Sequence, residues 1–431
     1  MTFAQQPVLT LDSCLASARQ YNCSIRSSQL DVVIAREMKK QMVWKYFPQA
    51  GINAFVFGAA TPLVDIDVTN ASMSGGLGTF LSDVFQAFAN LGDSIGTDIK
   101  MIRWGASAQL QAVQPIYWGG QIVTANKLAR LGIDVAQLKQ EVSERDVLQE
   151  VTETYWLVAG LMEKRATVHK AGELLDSIGR LAHNAYNHGL ATNSDILRVQ
   201  LKQNELQTQS FQLENGIQLA SRLLAHLSGL VYNGEMLLEP LPSEDTIPVD
   251  MPKPHFAIEG RPEALLLERN VQYNKLMKRL TLGESLPHLA LGASGGYSNI
   301  FEHHKLNAVG FIYLTVPLTG WGETSHKLKQ HNYQIQQAQW MMEDYRAKLD
   351  LQNRQVFDKL AESLKLLKQH RSGRELAQEN YRIAMMNYRA GIGTMTELME
   401  AETLLLQAEN AFTDARITYL TTLRKFTNLN K

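Results

Sequence analysis

Few residues of this sequence have the types and the spacing that chemistry requires. Cys14 and Cys23 are the only cysteines. With no histidine nearby they make a poor metal site, and they form either a disulfide or two buried thiols. His303 and His304 are adjacent without a third ligand, so we interpret them as polar loop surface. No Ser–His–Asp, Walker or dinucleotide motif is present, and we predict no enzyme activity, no metal and no cofactor.

Glu397 and Glu400 form an acidic pair at the start of a predicted helix. Residues three apart share one face of a helix, so the two carboxylates lie together. One interpretation is a pair of solvated glutamates that also favours the positive end of the helix dipole. The alternative is a function of their combined charge. An earlier segment carries Asp195 at the matching position, but Arg198 stands where the second acid would be.

The composition gives no argument for a nucleic-acid partner. Among 431 residues, 42 lysines and arginines nearly balance 43 aspartates and glutamates. No stretch approaches the roughly 18 uninterrupted apolar residues of a membrane-spanning helix. The opening residues MTFAQQPVLTL lack the basic start and apolar core of a secretory signal. Either the protein is cytoplasmic or a signal peptide has been removed.

The sequence repeats itself once. YNHGLATNSDIL, which begins at Tyr186, matches YRAGIGTMTELM, which begins at Tyr388, and both Tyr186/Tyr388 and Pro115/Pro317 are 202 residues apart. Pro48 and the matching proline at 287 are 239 apart, so the first copy holds 37 extra residues. We expect this insertion at 61–104. If the strands of the repeats form a membrane barrel, it lies at the extracellular end, where barrels carry their longer loops.

Each repeat is predicted to contain a helix, two strands, a very long helix and a returning helix. Each long helix, free of proline, would measure about 100 Å, which a compact globule cannot bury, so the helices must pack in a bundle or tube. The predicted first repeat is 1–230, with strands at about 49–60 and 105–117 and helices at 120–187 and 194–229. A linker at 231–262 precedes the second repeat, 263–431, with strands at about 287–299 and 307–318 and helices at 322–389 and 396–427.

The predicted strands alternate between two kinds of side chain. Ala106, Ala108, Leu110 and Ala112 alternate with serine and glutamine, as in a membrane barrel or in an ordinary soluble sheet. Four strands leave two open edges, so a membrane barrel would need several chains. Aromatic residues cluster where strands meet helices and are candidates for a membrane-interface girdle: Trp44, Tyr46, Phe47, Tyr117, Trp118 and Trp321.

Several motifs in this order resemble the TolC-type outer-membrane efflux protein family over nearly the whole chain. They are LTLDSCLASARQYN, YFPQ, QPIYWGGQ and the two repeated tips. The resemblance implies a mixed α and β membrane protein, with a trimeric 12-stranded outer-membrane β-barrel continued by a long periplasmic α-helical barrel. It would lie in the outer membrane of a Gram-negative bacterium, with its signal peptide removed. The 231–262 linker would belong to an equatorial collar.

The same resemblance implies a passive exit duct of a tripartite efflux or type I secretion-like system. Its partners would be outer-membrane lipid, two further copies, a periplasmic adaptor and an inner-membrane transporter. Glu397, Glu400 and Asp195 would lie at the periplasmic entrance. The adaptor would contact the tips, although a well-made helical hairpin also explains these residues: Tyr186, Gly189, Leu190, Thr192, Tyr388, Gly391, Ile392 and Thr394. The alternative function is a soluble periplasmic or cytoplasmic helical scaffold or adaptor.

Overall fold

The computed structural model describes residues 8–58, 60, 104–189, 191–234, 236–243, 251, 258, 260–299 and 305–429. Leu190, His303, His304 and nearly all of the 61–104 insertion therefore lie outside the described residues. The elements in chain order are α1 Leu11–Tyr21, α2 Cys23–Trp44, β1 Gln49–Gly58, β2 Trp104–Trp118, α3 Gln121–Asn187, α4 Asn193–Ser228, α5 Pro262–Glu284, β3 His288–Asn299, β4 Lys305–Thr315, α6 Trp321–Arg389 and α7 Met395–Leu429.

The four strands form one antiparallel sheet in the order β1-β2-β3-β4. The β2–β3 pair joins the two repeats, with Ala112 opposite Ala293. The register shifts between Pro115 and Tyr117, where proline has no N–H to donate to a ladder. Within the described residues, the outer edges of β1 and β4 have no partner strand. A mostly helical chain with a four-stranded sheet confirms the predicted mixed fold class.

The chain divides into two compact units. The helical unit comprises Met1–Glu37, Arg130–Asn274 and Gln334–Lys431. In its first repeat, α3 packs against α1 and α4, and the buried residues include Val151, Tyr155 and Leu224. In its second repeat, Leu360 of α6 packs with Tyr419 of α7. Apolar residues spaced three and four apart thus bury one stripe of each long helix.

The two cysteines are free thiols. Cys14 is buried against α3 and α4, while Cys23 is exposed near the start of α2. Burial raises the pKa of the Cys14 thiol, so this group is an unreactive core residue. Of the two interpretations of these cysteines, the disulfide is wrong, and only Cys14 is a buried thiol.

The sheet unit comprises Met38–Ala129 and Lys275–Tyr333. Its β2–α3 turn requires glycine, because Gly119 and Gly120 have φ of 58° and 74°. A Cβ atom on Gly119 would also overlap the carbonyl oxygen of Gly283 near the end of α5. Beside this turn, Trp118 stacks on His288 with ring centroids 4.6 Å apart. In the described part of the chain, no helix is both long and apolar enough to cross a membrane.

Candidate functional site

Each long helix ends in a tight hairpin tip. After α3, Gly189 has φ of 73°, and after α6, Gly391 has φ of 75°. The Gly189 N–H donates to the Tyr186 carbonyl at 2.9 Å, and the Gly391 N–H donates to the Tyr388 carbonyl at 3.1 Å. A left-handed glycine ends each helix in the same way in both repeats. Ile392, beside Gly391, is 79% exposed.

The acids of the two tips cap the returning helices. In the first tip, the backbone N–H and the hydroxyl of Thr192 donate to the Asp195 carboxylate at 2.9 and 2.8 Å. In the second tip, the Thr394 N–H donates to the Glu397 carboxylate at 2.9 Å, and the Glu397 N–H donates to the Thr394 hydroxyl at 3.2 Å. This reciprocal pair is a capping box. Asp195 and Glu397 therefore have a local structural role in addition to their charge.

Among the described residues, the second acid of the pair makes no comparable cap. Glu397 and Glu400 are both exposed on the first turns of α7, whereas Met395 and Leu398 are buried on its other side. The helix thus presents two carboxylates to solvent and two apolar side chains to its core. Three copies of the chain would bring six such carboxylates.

One hydrogen bond and one electrostatic interaction involve both tips. The Arg198 guanidinium of α4 donates to the Thr396 hydroxyl of α7 at 2.5 Å. The Tyr388 hydroxyl is buried and has no hydrogen-bond partner among the described residues. Burial raises the pKa of Tyr388, and the Asp195 charge raises it further. The two tips of one chain are therefore neighbours, packed over a shared apolar cluster that includes Ile178 and Leu398.

The sheet has two faces of different chemistry. The apolar face is defined by Ile52, Val56, Ala108, Leu110, Ala112, Leu291, Ala293, Tyr297, Leu306 and Ile312. On it, Ile52, Leu306 and Ile312 are 75%, 88% and 71% exposed. The polar face is defined by Asn53, Gln109, Gln111, Ser294 and Asn307, with Phe55, Phe57, Phe311 and Tyr313 among them. An apolar patch of this size on a solvent-exposed face indicates a binding partner or a membrane.

The aromatic residues at the junctions between strand and helix are mostly exposed. Trp44 is 68% exposed and packs beside Phe47; Tyr46, Phe47, Tyr117 and Trp321 are also exposed. Tyr117 lies opposite Leu289, on the apolar face. Trp118 lies opposite His288, on the polar face. Of the two aromatic residues of this set that lie in a strand, Tyr117 and Trp118, only Trp118 is on that face.

Comparison with known proteins identifies the fold. No family model matches the chain. The alkaline protease secretion protein AprF of Pseudomonas aeruginosa is 25% identical over 257 residues, which cover 56% of this chain and 52% of that relative. The chain therefore spans about half the length of the relative.

Solved structures match nearly all of the chain. The outer membrane protein VceC of Vibrio cholerae aligns with 97% of this chain and 96% of its own, at a TM-score of 0.73 and 15% identity. The CmeC outer membrane channel of Campylobacter jejuni aligns with 97% of this chain and 85% of its own, at a TM-score of 0.74 and 14% identity. This chain has the fold of the TolC-type outer-membrane channels. The match covers the helices and the sheet together.

One buried acid of this chain was missed by sequence reasoning. Glu402 of α7 is 1% exposed, and neither carboxylate oxygen has a hydrogen-bond partner within the described ranges. Burial raises its pKa; Lys202 of α4 lowers it and Glu205 of the same helix raises it. Glu402 lies four residues from both Leu398 and Leu406, which are buried. This spacing puts Glu402 on the apolar stripe of α7. The spacing is visible in the sequence and could have identified Glu402 as a buried acid.

Proposed function

We propose that this chain is one subunit of an outer-membrane channel of a Gram-negative bacterium. The channel is a passive exit duct in a tripartite efflux or type I secretion-like system. Two findings support the proposal. The chain has the fold of the TolC-type channels, and it is similar to the alkaline protease secretion protein AprF of P. aeruginosa. The observation that carries it is the four-stranded sheet, which has one exposed apolar face, one polar face and, among the described residues, two unpaired edges.

The unpaired edges require more than one chain. In a bilayer the free N–H and C=O groups of β1 and β4 have no water to bind, so an open four-stranded sheet is unstable there. Three copies supply twelve strands, and β4 of each copy pairs with β1 of the next. The helices of the three copies then form one periplasmic tube.

The two faces assign the inside and the outside of the barrel. The apolar face, with Ile52 and Leu306, meets outer-membrane lipid. The polar face, with Asn53 and Asn307, lines an aqueous lumen. Trp44, Tyr46, Phe47, Tyr117 and Trp321 then lie where amphipathic rings favour a membrane interface, since they are exposed at the ends of the strands. The insertion at 61–104 connects β1 to β2 on the extracellular side.

The tips form the periplasmic entrance. Exposed Glu397 and Glu400 from three copies give a ring of six carboxylates, which favours cations over anions. The glycine-ended tips contact a periplasmic adaptor, through which an inner-membrane transporter supplies the energy. We assign no catalytic residue to this chain.

Thiol labelling of the two sheet faces tests the proposal. In a background with serine at both cysteines, Asn53→Cys and Ile52→Cys place adjacent thiols on opposite faces. In outer-membrane vesicles, a charged maleimide should label Asn53→Cys, whereas Ile52→Cys should react only with a lipid-soluble one. Purified wild-type protein should also open ion-conducting channels in planar bilayers. Equal labelling of both thiols by the charged reagent, in protein monodisperse without detergent, would support the soluble scaffold instead.

A further inference from the structure

Two phenylalanines on the polar face lie across glycines of the neighbouring strand. Phe311 of β4 pairs with Gly292 of β3, and a Cβ atom on Gly292 would overlap the Phe311 ring. In the other hairpin Phe57 of β1 pairs with Gly105 of β2, and a Cβ atom on Gly105 would lie 2.5 Å from Phe57 Cε1. Each ring occupies the space that any other residue would need for its first side-chain atom.

Backbone conformation does not explain these two glycines. Gly105 and Gly292 are absent from the glycines with positive φ, and glycine inside a strand weakens it unless a neighbour fills the gap. An aromatic ring across the strand fills that gap. Phe57 and Phe311 are accordingly half-buried, whereas Phe55, which faces Ser107, is 52% exposed. The two covered rings lie along the wall instead of projecting from it.

The pairing register sets the two pairs at different levels of the sheet. Gly292 and Phe311 share a row with Gln49, the first residue of β1, while Phe57 is the last but one. Asn53 lies between the two levels. In a closed barrel of three copies, three rings would surround the lumen at each level.

We infer that Gly105 and Gly292 set the bore of the barrel, because they let Phe57 and Phe311 lie flat against the lumen wall. The two glycines thereby keep the lumen open to bulky solutes at both levels. This inference rests on the proposed function, since it needs the polar face to line the lumen. Adding a methyl group at either glycine would lift the ring into the lumen.

The test measures access to a thiol between the two levels. The protein is the full chain with serine at Cys14 and Cys23 and with Asn53→Cys, reconstituted in lipid vesicles. Labelling rates are compared for a small charged maleimide and for a maleimide attached to a bulky polyethylene glycol. Gly105→Ala together with Gly292→Ala should slow the bulky reagent several-fold and leave the small one unchanged. Adding Phe57→Ala and Phe311→Ala should restore the rate of the bulky reagent.

Controls separate ring displacement from general damage to the sheet. Gly51 lies on the same face with no atom near its Cβ position, so Gly51→Ala should leave both rates unchanged. Phe57→Ala with Phe311→Ala, in the glycine background, should also leave both unchanged, because rings that lie flat do not narrow the lumen. This last variant keeps the test valid if the alanine variants fail to assemble.

The outcomes distinguish this inference from the proposed function. If the ratio of the bulky to the small labelling rate is unchanged in Gly105→Ala with Gly292→Ala, the inference alone is overturned. It is also overturned if Gly51→Ala lowers this ratio by the same amount. A faster bulky reaction after removal of the two rings shows that they already project, and it also overturns the inference. If the Asn53→Cys thiol does not react with the small charged reagent, the polar face does not line a lumen, and both proposals fail.

Discussion

At the scale of single residues, the acids of the tips combine a helix cap with a charge. Glu397 accepts the Thr394 N–H in a capping box, while Glu400, one turn on, is exposed without such a bond. Asp195 accepts from Thr192 in the first repeat. Any substitution that removes both the cap and the charge would confuse a structural effect with an effect on the pore. Glutamine at these positions removes the charge and keeps an oxygen that accepts the cap hydrogen bond.

We predict that Glu397→Gln with Glu400→Gln lowers the preference for cations over anions several-fold in planar bilayers. The reason is that the proposed trimer would lose six negative charges from its periplasmic entrance. Helix stability should change little, whereas Thr394→Ala should cost about 1 kcal/mol through the lost cap. Asp195→Asn is the matched control and should affect selectivity less, since Arg198 lies one turn away on the same helix. Unaltered selectivity in the double variant would leave these glutamates as solvated surface residues.

The buried carboxyl of Glu402 gives a prediction about pH. Burial raises its pKa above the ordinary value, so the protonated form is favoured more in the folded chain than in the unfolded chain. The contribution of Glu402 to the free energy of unfolding is then fully present at low pH, and it is lost as the pH rises through the folded-state pKa. Glu402→Gln cannot ionise and should be more stable than the native protein above that pKa, by about 1–3 kcal/mol. The difference should vanish below about pH 4.

Urea unfolding of the detergent-solubilised protein across this pH range measures the effect. Glu409→Gln, on the same helix and half-buried, is the matched control for the loss of one carboxyl group from α7. A native protein that is more stable than Glu402→Gln at neutral pH would mean that the ionised carboxylate has a partner in the assembled channel.

At the scale of elements, the turn between β2 and α3 is more constrained than its counterpart in the second repeat. Gly119 has positive φ and also lies against the Gly283 backbone, while Gly120 has positive φ but open space around it. In the second repeat Gly320 and Gly322 have neither constraint. The repeated sequence motif therefore folds into two different turns.

Alanine substitutions at these glycines should rank by constraint. Gly120→Ala should lose roughly 1–2 kcal/mol, the general penalty for a left-handed conformation. Gly119→Ala should lose more, because its Cβ would meet a backbone oxygen that cannot rotate away. Gly322→Ala, inside α6, should be neutral or stabilising, since alanine favours a helix. Thermal unfolding of the three variants checks this order, and equal melting temperatures for the first two would refute the Gly283 contact.

At the scale of the whole molecule, the sheet has an apolar surface that needs covering and two edges that need pairing. Ile52, Leu306 and Ile312 are all more than two-thirds exposed in the single chain. In the proposed channel, lipid covers that face and copies of the chain pair the edges. Neither requirement can be met by a monomer in water.

Light scattering in detergent should therefore give a particle with three chains of 48.3 kDa each, apart from the bound detergent. Removal of detergent should cause aggregation, because the apolar face is then exposed to water. A folded, monodisperse monomer in detergent is incompatible with strands shared between copies. A monodisperse particle without detergent would favour the scaffold function.

The sequence by itself determined the local structure of this protein. Helical and strand structure depend on neighbouring residues, so the proline-free runs of the two repeats predicted α3 and α6, and alternating side chains predicted the strands of the sheet. Left-handed positions favour glycine, which is why Gly189 and Gly391 could be recognised as helix ends. The shared offset of the repeats showed that both tips have the same design.

Only the tertiary structure decided what comes together across the chain. The β2–β3 register joins residues about 180 positions apart, and it is this register that puts Trp118 on the polar face. Only the folded chain places Phe311 over Gly292 and leaves the Glu402 carboxylate buried with no hydrogen-bond partner in the part of the chain that the structure describes. These contacts depend on how distant segments pack, and the period of a single segment carries no information about its neighbour. A residue's type and period predict its face, but the packing of other elements decides what that face meets.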